Sequence, residues 1–229
     1  MTKKKVYLSP SNQTENRYAY GNTNEAVQCG KIAEACRVAL VRSGVEVMVG
    51  HMPSMQQKCK ESDAFKADLH VPIHTNACNG KVSGTRMFCY NKTGNGYKAC
   101  RAIYNVLAPF TPGTSESITA NGDELYEVRV PSAPTAYIEV DFHDVPSVAK
   151  WIIENTTNIG EKIAQGICNY LGVKFVAPAA PKPTSAPAAT GSTIYRVQVG
   201  AYAVKANAEA MQKKLKVAGF DGIIVEGKK

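Results

Sequence analysis

The stretch Asp68–Gly80, "DLHVPIHTNACNG", decides how the chain is read. Its first half is apolar, carries β-branched Val71 and Ile73, and closes on turn-forming Asn and Gly. That pattern predicts a short buried strand. Pro72 argues the same way, because a proline inside a helix removes a hydrogen bond and clashes with the preceding turn. The distinction matters because His70 and His74 are two of the chain's four histidines. At this spacing on a helix they could share one metal ion. On a strand they share a face but lie roughly 13 Å apart, at about 3.3 Å per residue. Zinc–nitrogen bonds of about 2.1 Å then exclude joint coordination of one ion. At most one is a ligand. His74, where the chain leaves the sheet, is the candidate, and His70 reads as a core histidine with one hydrogen-bond partner.

Working outward, "KVYLS" (5–9) and "VEVMVG" (45–50) read as further strands. Between them, residues 29, 32, 33, 36 and 40 recur with helical spacing, with Asn24 as a cap and Gly44 as a stop. "PSMQQKCKESDAFK" predicts a helix capped by Ser54, and "GYKACRAIYNVLAPF" one that Pro109 ends. "TRMFCYN" (85–91), "LYEVRV" (125–130) and "TAYIEVDF" (135–142) predict strands, residues 111–124 a polar loop, and the segment up to Gly172 one or two helices. Alternating strands and helices define an α/β domain with a mostly parallel twisted sheet flanked by helices. It spans residues 1–175. Residues 176–193, rich in Pro, Ala, Ser and Thr, form an extended linker. Residues 194–229 read as a small β-α-β unit.

Composition narrows the function. The chain has 229 residues, 44% hydrophobic and 20% charged, which suits one medium globular domain and a small one. Seven cysteines without a CxxC pair read as free, mostly buried thiols. No run approaches the ~18 apolar residues of a transmembrane segment. The start "MTKKKVYLSPSNQ" lacks the apolar core of a secretory signal, so synthesis in the cytoplasm and release by lysis are expected. The net charge of +8 is concentrated in the tail, where residues 193–229 carry seven Lys/Arg against three Asp/Glu. That suits an anionic partner such as a cell wall. A nucleic-acid partner is not expected, since neither a Gly-rich phosphate loop nor aromatic–basic interleaving is present.

In open parallel sheets, chemistry collects at the carboxyl ends of the strands. Asn12 and Gln13 follow the first strand, Glu25 opens the first helix, and His74 ends the third strand. Glu139 is a carboxylate in an otherwise apolar strand, where burial without a partner is costly and raises its pKa. Each has a structural alternative: Glu25 as a first-turn acid favoured by the helix dipole, Glu139 as half of a salt bridge.

Taken together, the loop, the "NE"-led helix, "IHTNA" and "TAYIEVDF" resemble, over roughly residues 4–173, the type 3 zinc-dependent N-acetylmuramoyl-L-alanine amidases. These cell-wall hydrolases include autolysins and phage endolysins. The resemblance implies zinc ligands at Glu25 and His74, acid–base catalysis by Glu139, and substrate or loop contacts from Asn76. The family's first ligand is a histidine in Asp-Pro-Gly-His-Gly. Here the segment is "LSPSNQ", similar to a clostridial and phage subgroup. Gln13 is the preferred stand-in, with Asn12, Asp141 and His143 as alternatives.

The expected activity is hydrolysis of the amide between N-acetylmuramic acid and L-alanine of peptidoglycan. The competing expectations are a metal-poor wall-binding module and a zinc peptidase acting on stem peptides. The tail is similar to half of a SPOR domain, which binds glycan strands. A single such unit buries too little apolar surface to fold alone. Either the second half lies beyond this sequence or two chains share a domain, and a homodimer through residues 194–229 is expected, unless the tail is a cap without a binding role.

Overall fold

A computed structural model describes residues 3–115, 117–120, 124–179, 198–217 and 222–226. The chain divides into two units, residues 1–178 and 179–229.

The first unit is built on six strands: β1 (Lys5–Pro10), β2 (Glu46–Val49), β3 (Leu69–Asn76), β4 (Arg86–Cys89), β5 (Ser117–Ala120) and β6 (Tyr137–Phe142). They form one sheet in the order β2-β1-β3-β6-β4-β5. β2, β1, β3 and β6 run parallel. β4 is antiparallel to β6, and β5 is parallel to β4. The expected mostly parallel α/β sheet is therefore present, with a reversal on one side.

Helix α1 (Glu25–Arg42) starts where expected: the Asn24 side chain accepts a hydrogen bond from the Val27 backbone N–H. Ser54 caps α2 (Met55–Phe65) in the same way. α3 (Asn95–Leu107) runs into a short 3₁₀ turn at Ala108–Phe110, where Pro109 prevents continuation. The final segment of the domain is one helix, α5 (Pro146–Leu171), closed by Gly172 in the left-handed region.

Strand alternation gives the sheet two chemically different faces. Val6, Leu8, Val71, Ile73, Ile138 and Val140 join the core with Ile32, Ile103 and Ile163 of α1, α3 and α5. α5 packs between α1 and α3 by close backbone approach: a Cβ on Gly160 would lie 2.7 Å from the Cys36 nitrogen, and one on Gly166 would lie 2.4 Å from the Ile103 Cα. The alternate residues Tyr7, Ser9, His70, His74, Tyr137 and Glu139 point to the other face, covered by α2, α4 (Tyr126–Arg129) and the loop after β1.

Two expectations need correction. "LYEVRV" is not a strand; it forms the helical turn α4. Glu127 and Val128 are adjacent and both buried. A strand lying on the sheet's cover would send one of them to solvent, whereas a helical turn can direct both inward. Conversely, Ser117–Ala120, inside the expected polar loop, forms edge strand β5 against β4. Its polar sequence suits a half-exposed edge.

Of the expected β-α-β tail, the helix is present as α6 (Lys205–Val217). The described flanks, 198–204 and 222–226, have no strand partners. Most of the linker 176–193 and the start of "YRVQVGAY" lie outside the described residues.

Candidate active site

The site lies on the polar sheet face, at the carboxyl ends of β1 and β3. Glu25, in the first turn of α1, is almost fully buried. Its Oε1 lies 2.8 Å from His74 Nδ1, and its Oε2 accepts from Asn16 Nδ2 at 2.6 Å. Burial works against the Glu25 charge, but hydrogen bonds from His74, Asn16 and Ser11 overcome it and hold the carboxyl below its usual range. For His74, burial opposes protonation, while the bond to Glu25 and the charges of Glu139 and Glu25 raise its pKa. The imidazole stacks on Tyr137 with ring centroids 4.8 Å apart, which fixes its plane.

Glu139 is the register partner of His74 on the neighbouring strand. Burial pushes its carboxyl up to about 8; the Glu25 charge adds to the rise, while His74 and a hydrogen bond to Tyr137 oppose it. The two lowered or raised carboxyls differ in environment, not in kind: Glu25 is surrounded by donors and Glu139 is not.

Gln13 reaches the same place. Its Nε2 is 3.5 Å from His74 Nδ1, and its Oε1 accepts from Asn16 Nδ2 at 2.7 Å. Rotation of the terminal amide exchanges the oxygen and nitrogen. Asn12 instead donates to the Pro53 carbonyl and turns away. Asp141 accepts from the Gly84 and Phe142 backbone N–H groups and organises that loop. His143 stacks on Tyr18 and bonds through Nδ1 to Thr75 Oγ1, which also meets the Tyr18 hydroxyl. Asn76 ends β3: its side chain accepts from the Ala77 N–H and its backbone carbonyl accepts from the His143 N–H, so it fixes the start of the following loop.

Gln13, Glu25, His74 and Glu139 are thus brought together from four separate segments. Asn16, Tyr18, Thr75 and Tyr137 support them, and a single sequence carries no signal for these four. A metal ion at the first three residues fits the donor set: one carboxylate, one imidazole and one amide oxygen. Glu25 and Gln13 both meet His74 at Nδ1, the nitrogen that such an ion would take. The amide is the weak member of the set.

A buried carboxyl with a raised pKa thus lies beside a glutamate–histidine pair at the carboxyl ends of strands in an α/β sheet. The family model described as N-acetylmuramoyl-L-alanine amidase matches residues 8–169, and the SPOR domain model matches residues 175–226. The chain belongs to the N-acetylmuramoyl-L-alanine amidase family, and its activity is that of a peptidoglycan amidase. It is 26% identical, over 230 residues, to the sporulation-specific N-acetylmuramoyl-L-alanine amidase of Bacillus subtilis (strain 168), covering 96% of this chain and 84% of that protein. The fold is similar to the catalytic domain of CwlV, an amidase from Bacillus (Paenibacillus) polymyxa var. colistinus, with a TM-score of 0.65 at 18% identity over 75% of this chain and 99% of that one. An N-acetylmuramoyl-L-alanine amidase from Clostridium difficile 630 superposes with a TM-score of 0.66 at 21% identity, over 74% of this chain and 97% of that one.

Proposed function

We propose that the chain hydrolyses the amide between N-acetylmuramic acid and L-alanine, with Gln13, Glu25 and His74 holding zinc and Glu139 acting as acid and base. The observation that carries this reading is the meeting of Glu25, His74 and Glu139 on one buried polar face. Zinc held there would supply Lewis-acid polarisation of the scissile carbonyl and make a water acidic enough to attack near neutral pH.

The chain's own residues do the rest. Asn16 keeps Glu25 ionised and aimed at His74. Tyr137 fixes the imidazole plane. Glu139, its pKa raised by burial toward the range where a carboxyl can both take and give a proton, accepts the proton of the attacking water and returns it to the leaving amine of L-alanine. The half-buried edge strand β5 and the loop leading to it supply one wall beside β4.

Product analysis separates this reading from its rivals. Digestion of purified peptidoglycan should expose new N-terminal L-alanine and leave intact stem peptides. New free amines on other stem residues instead would identify a peptidase. The substitution of glutamine for imidazole favours one other reading, a metal-poor wall-binding module, and an absence of new amines would select it.

The tail is assigned to wall binding on its match to the SPOR model. Because a unit as small as residues 194–229 buries little apolar surface, two chains are proposed to pair their tails about a two-fold axis. Light scattering at micromolar concentration should give a dimer for the full chain and a monomer for residues 1–175. A monomeric full chain, or a dimer that survives removal of the tail, rules this pairing out.

A further inference from the structure

The polar sheet face holds a second buried cluster, four residues back along β3 from His74. His70 is fully buried, with the Tyr7 ring stacked on it at 5.2 Å between centroids. Glu127, from α4, lies 3.2 Å from His70 Nε2 through Oε1, which also accepts from the Ser9 hydroxyl. Cys59, from α2, completes the group. The donor atoms of Cys59, His70 and Glu127 all lie within 4.8 Å of one another, and all three residues are buried. Among the described residues no other three His, Cys, Asp or Glu side chains are so arranged.

A hydrogen-bonded histidine–carboxylate pair accounts for part of this. Buried polar groups need partners, and Glu127 has His70 and Ser9. The pair leaves out the Cys59 thiol, which α2 brings within 4.8 Å of both partners' donor atoms. One thiol, one imidazole and one carboxylate from three different elements form the mixed donor set of a zinc-class ion.

The geometry points to a second metal site, in which Cys59, His70 and Glu127 bind a borderline-soft divalent cation such as zinc. Binding forms a metal–sulfur bond and releases the thiol proton to solvent. The thiolate and carboxylate together neutralise the ion. Lys58 is the cation facing Glu127, and it places its amine on the Pro10 carbonyl. Its charge opposes a divalent ion there and is not cancelled by the two anionic ligands; the Pro10 carbonyl that it meets is its polar partner. The site would tie α2 and α4 to the sheet across long stretches of chain, a structural role. It lies roughly 13 Å from His74 by strand spacing, and no cysteine is among the proposed amidase ligands. It therefore stands independently of the zinc reading of that centre.

Cobalt(II) titration of the metal-free full-length protein tests it. A thiolate-to-cobalt charge-transfer band in the near ultraviolet is expected in the wild type. The band should persist in Glu25→Gln and in Cys78→Ser, which alters an exposed cysteine, and vanish in Cys59→Ser with the loss of one metal equivalent. X-ray absorption of the zinc-loaded wild type gives a readout that needs no variant, with sulfur scattering expected at about 2.3 Å. Absence of the band and of the sulfur scattering at saturating metal, or a band that survives Cys59→Ser, overturns the site.

Discussion

Glu139→Gln is expected to bind metal as the wild type does and to lose activity by about 10²–10⁴-fold, the usual contribution of a positioned acid–base group. That loss corresponds to about 3–5 kcal/mol of transition-state stabilisation. Gln matches Glu in shape, so the sheet register with His74 should survive. The substitution removes the proton exchange that the proposed mechanism assigns to Glu139. It also removes a buried ionisable group whose carboxyl burial already disfavours as an anion, so folding stability should hold or rise. Turnover on purified peptidoglycan, read beside metal content and a thermal melt, checks the prediction. A near-normal rate in a folded, metal-loaded variant would show that Glu139 is structural.

The second large effect concerns the metal. A strong chelator is expected to abolish wall hydrolysis, and zinc to restore it. Full activity in protein shown to be metal-free would falsify the zinc reading. The weak point of the site is Gln13, whose amide stands 3.5 Å from His74 where an imidazole would bind more tightly. Gln13→His should therefore retain zinc against a chelator concentration on the order of tenfold higher. An unchanged chelator midpoint in a folded variant would show that position 13 does not face the ion. This outcome differs from loss of Glu139, which changes rate and leaves metal content alone.

The parts of the fold legible in the sequence are those set by local physics. The apolar positions of α1 repeat with helical spacing, and Cys29, Ile32, Ala33, Cys36 and Leu40 are all fully buried. Asn24 and Ser54 cap because a short polar side chain before a helix satisfies a free N–H group. The His70–His74 strand was readable from Pro72 and the closing turn residues, and its spacing separates the two histidines into two clusters. The segments misread were those whose state depends on distant partners. "LYEVRV" alternates like a strand, yet becomes a helical turn that carries Glu127 to His70, 57 residues away in the chain. Ser117–Ala120 looks like a loop until β4 offers it an edge.

The sequence by itself determined which groups were available for chemistry: two acids, two strand histidines and an amide where an imidazole was expected. Tertiary structure alone decided how they are shared out. Parallel pairing places His74 beside Glu139, and helix α1 delivers Glu25 to His74 across 49 residues of chain. The loop after β1 brings Gln13 to His74 and turns Asn12 to the Pro53 carbonyl. Packing also brought Asn16, Thr75 and Tyr137 into the centre and set Cys59 against His70 and Glu127. The physical reason is that spacing within an element fixes only which residues share a face. Contacts between elements depend on register and on the direction of each connection, which no local pattern encodes.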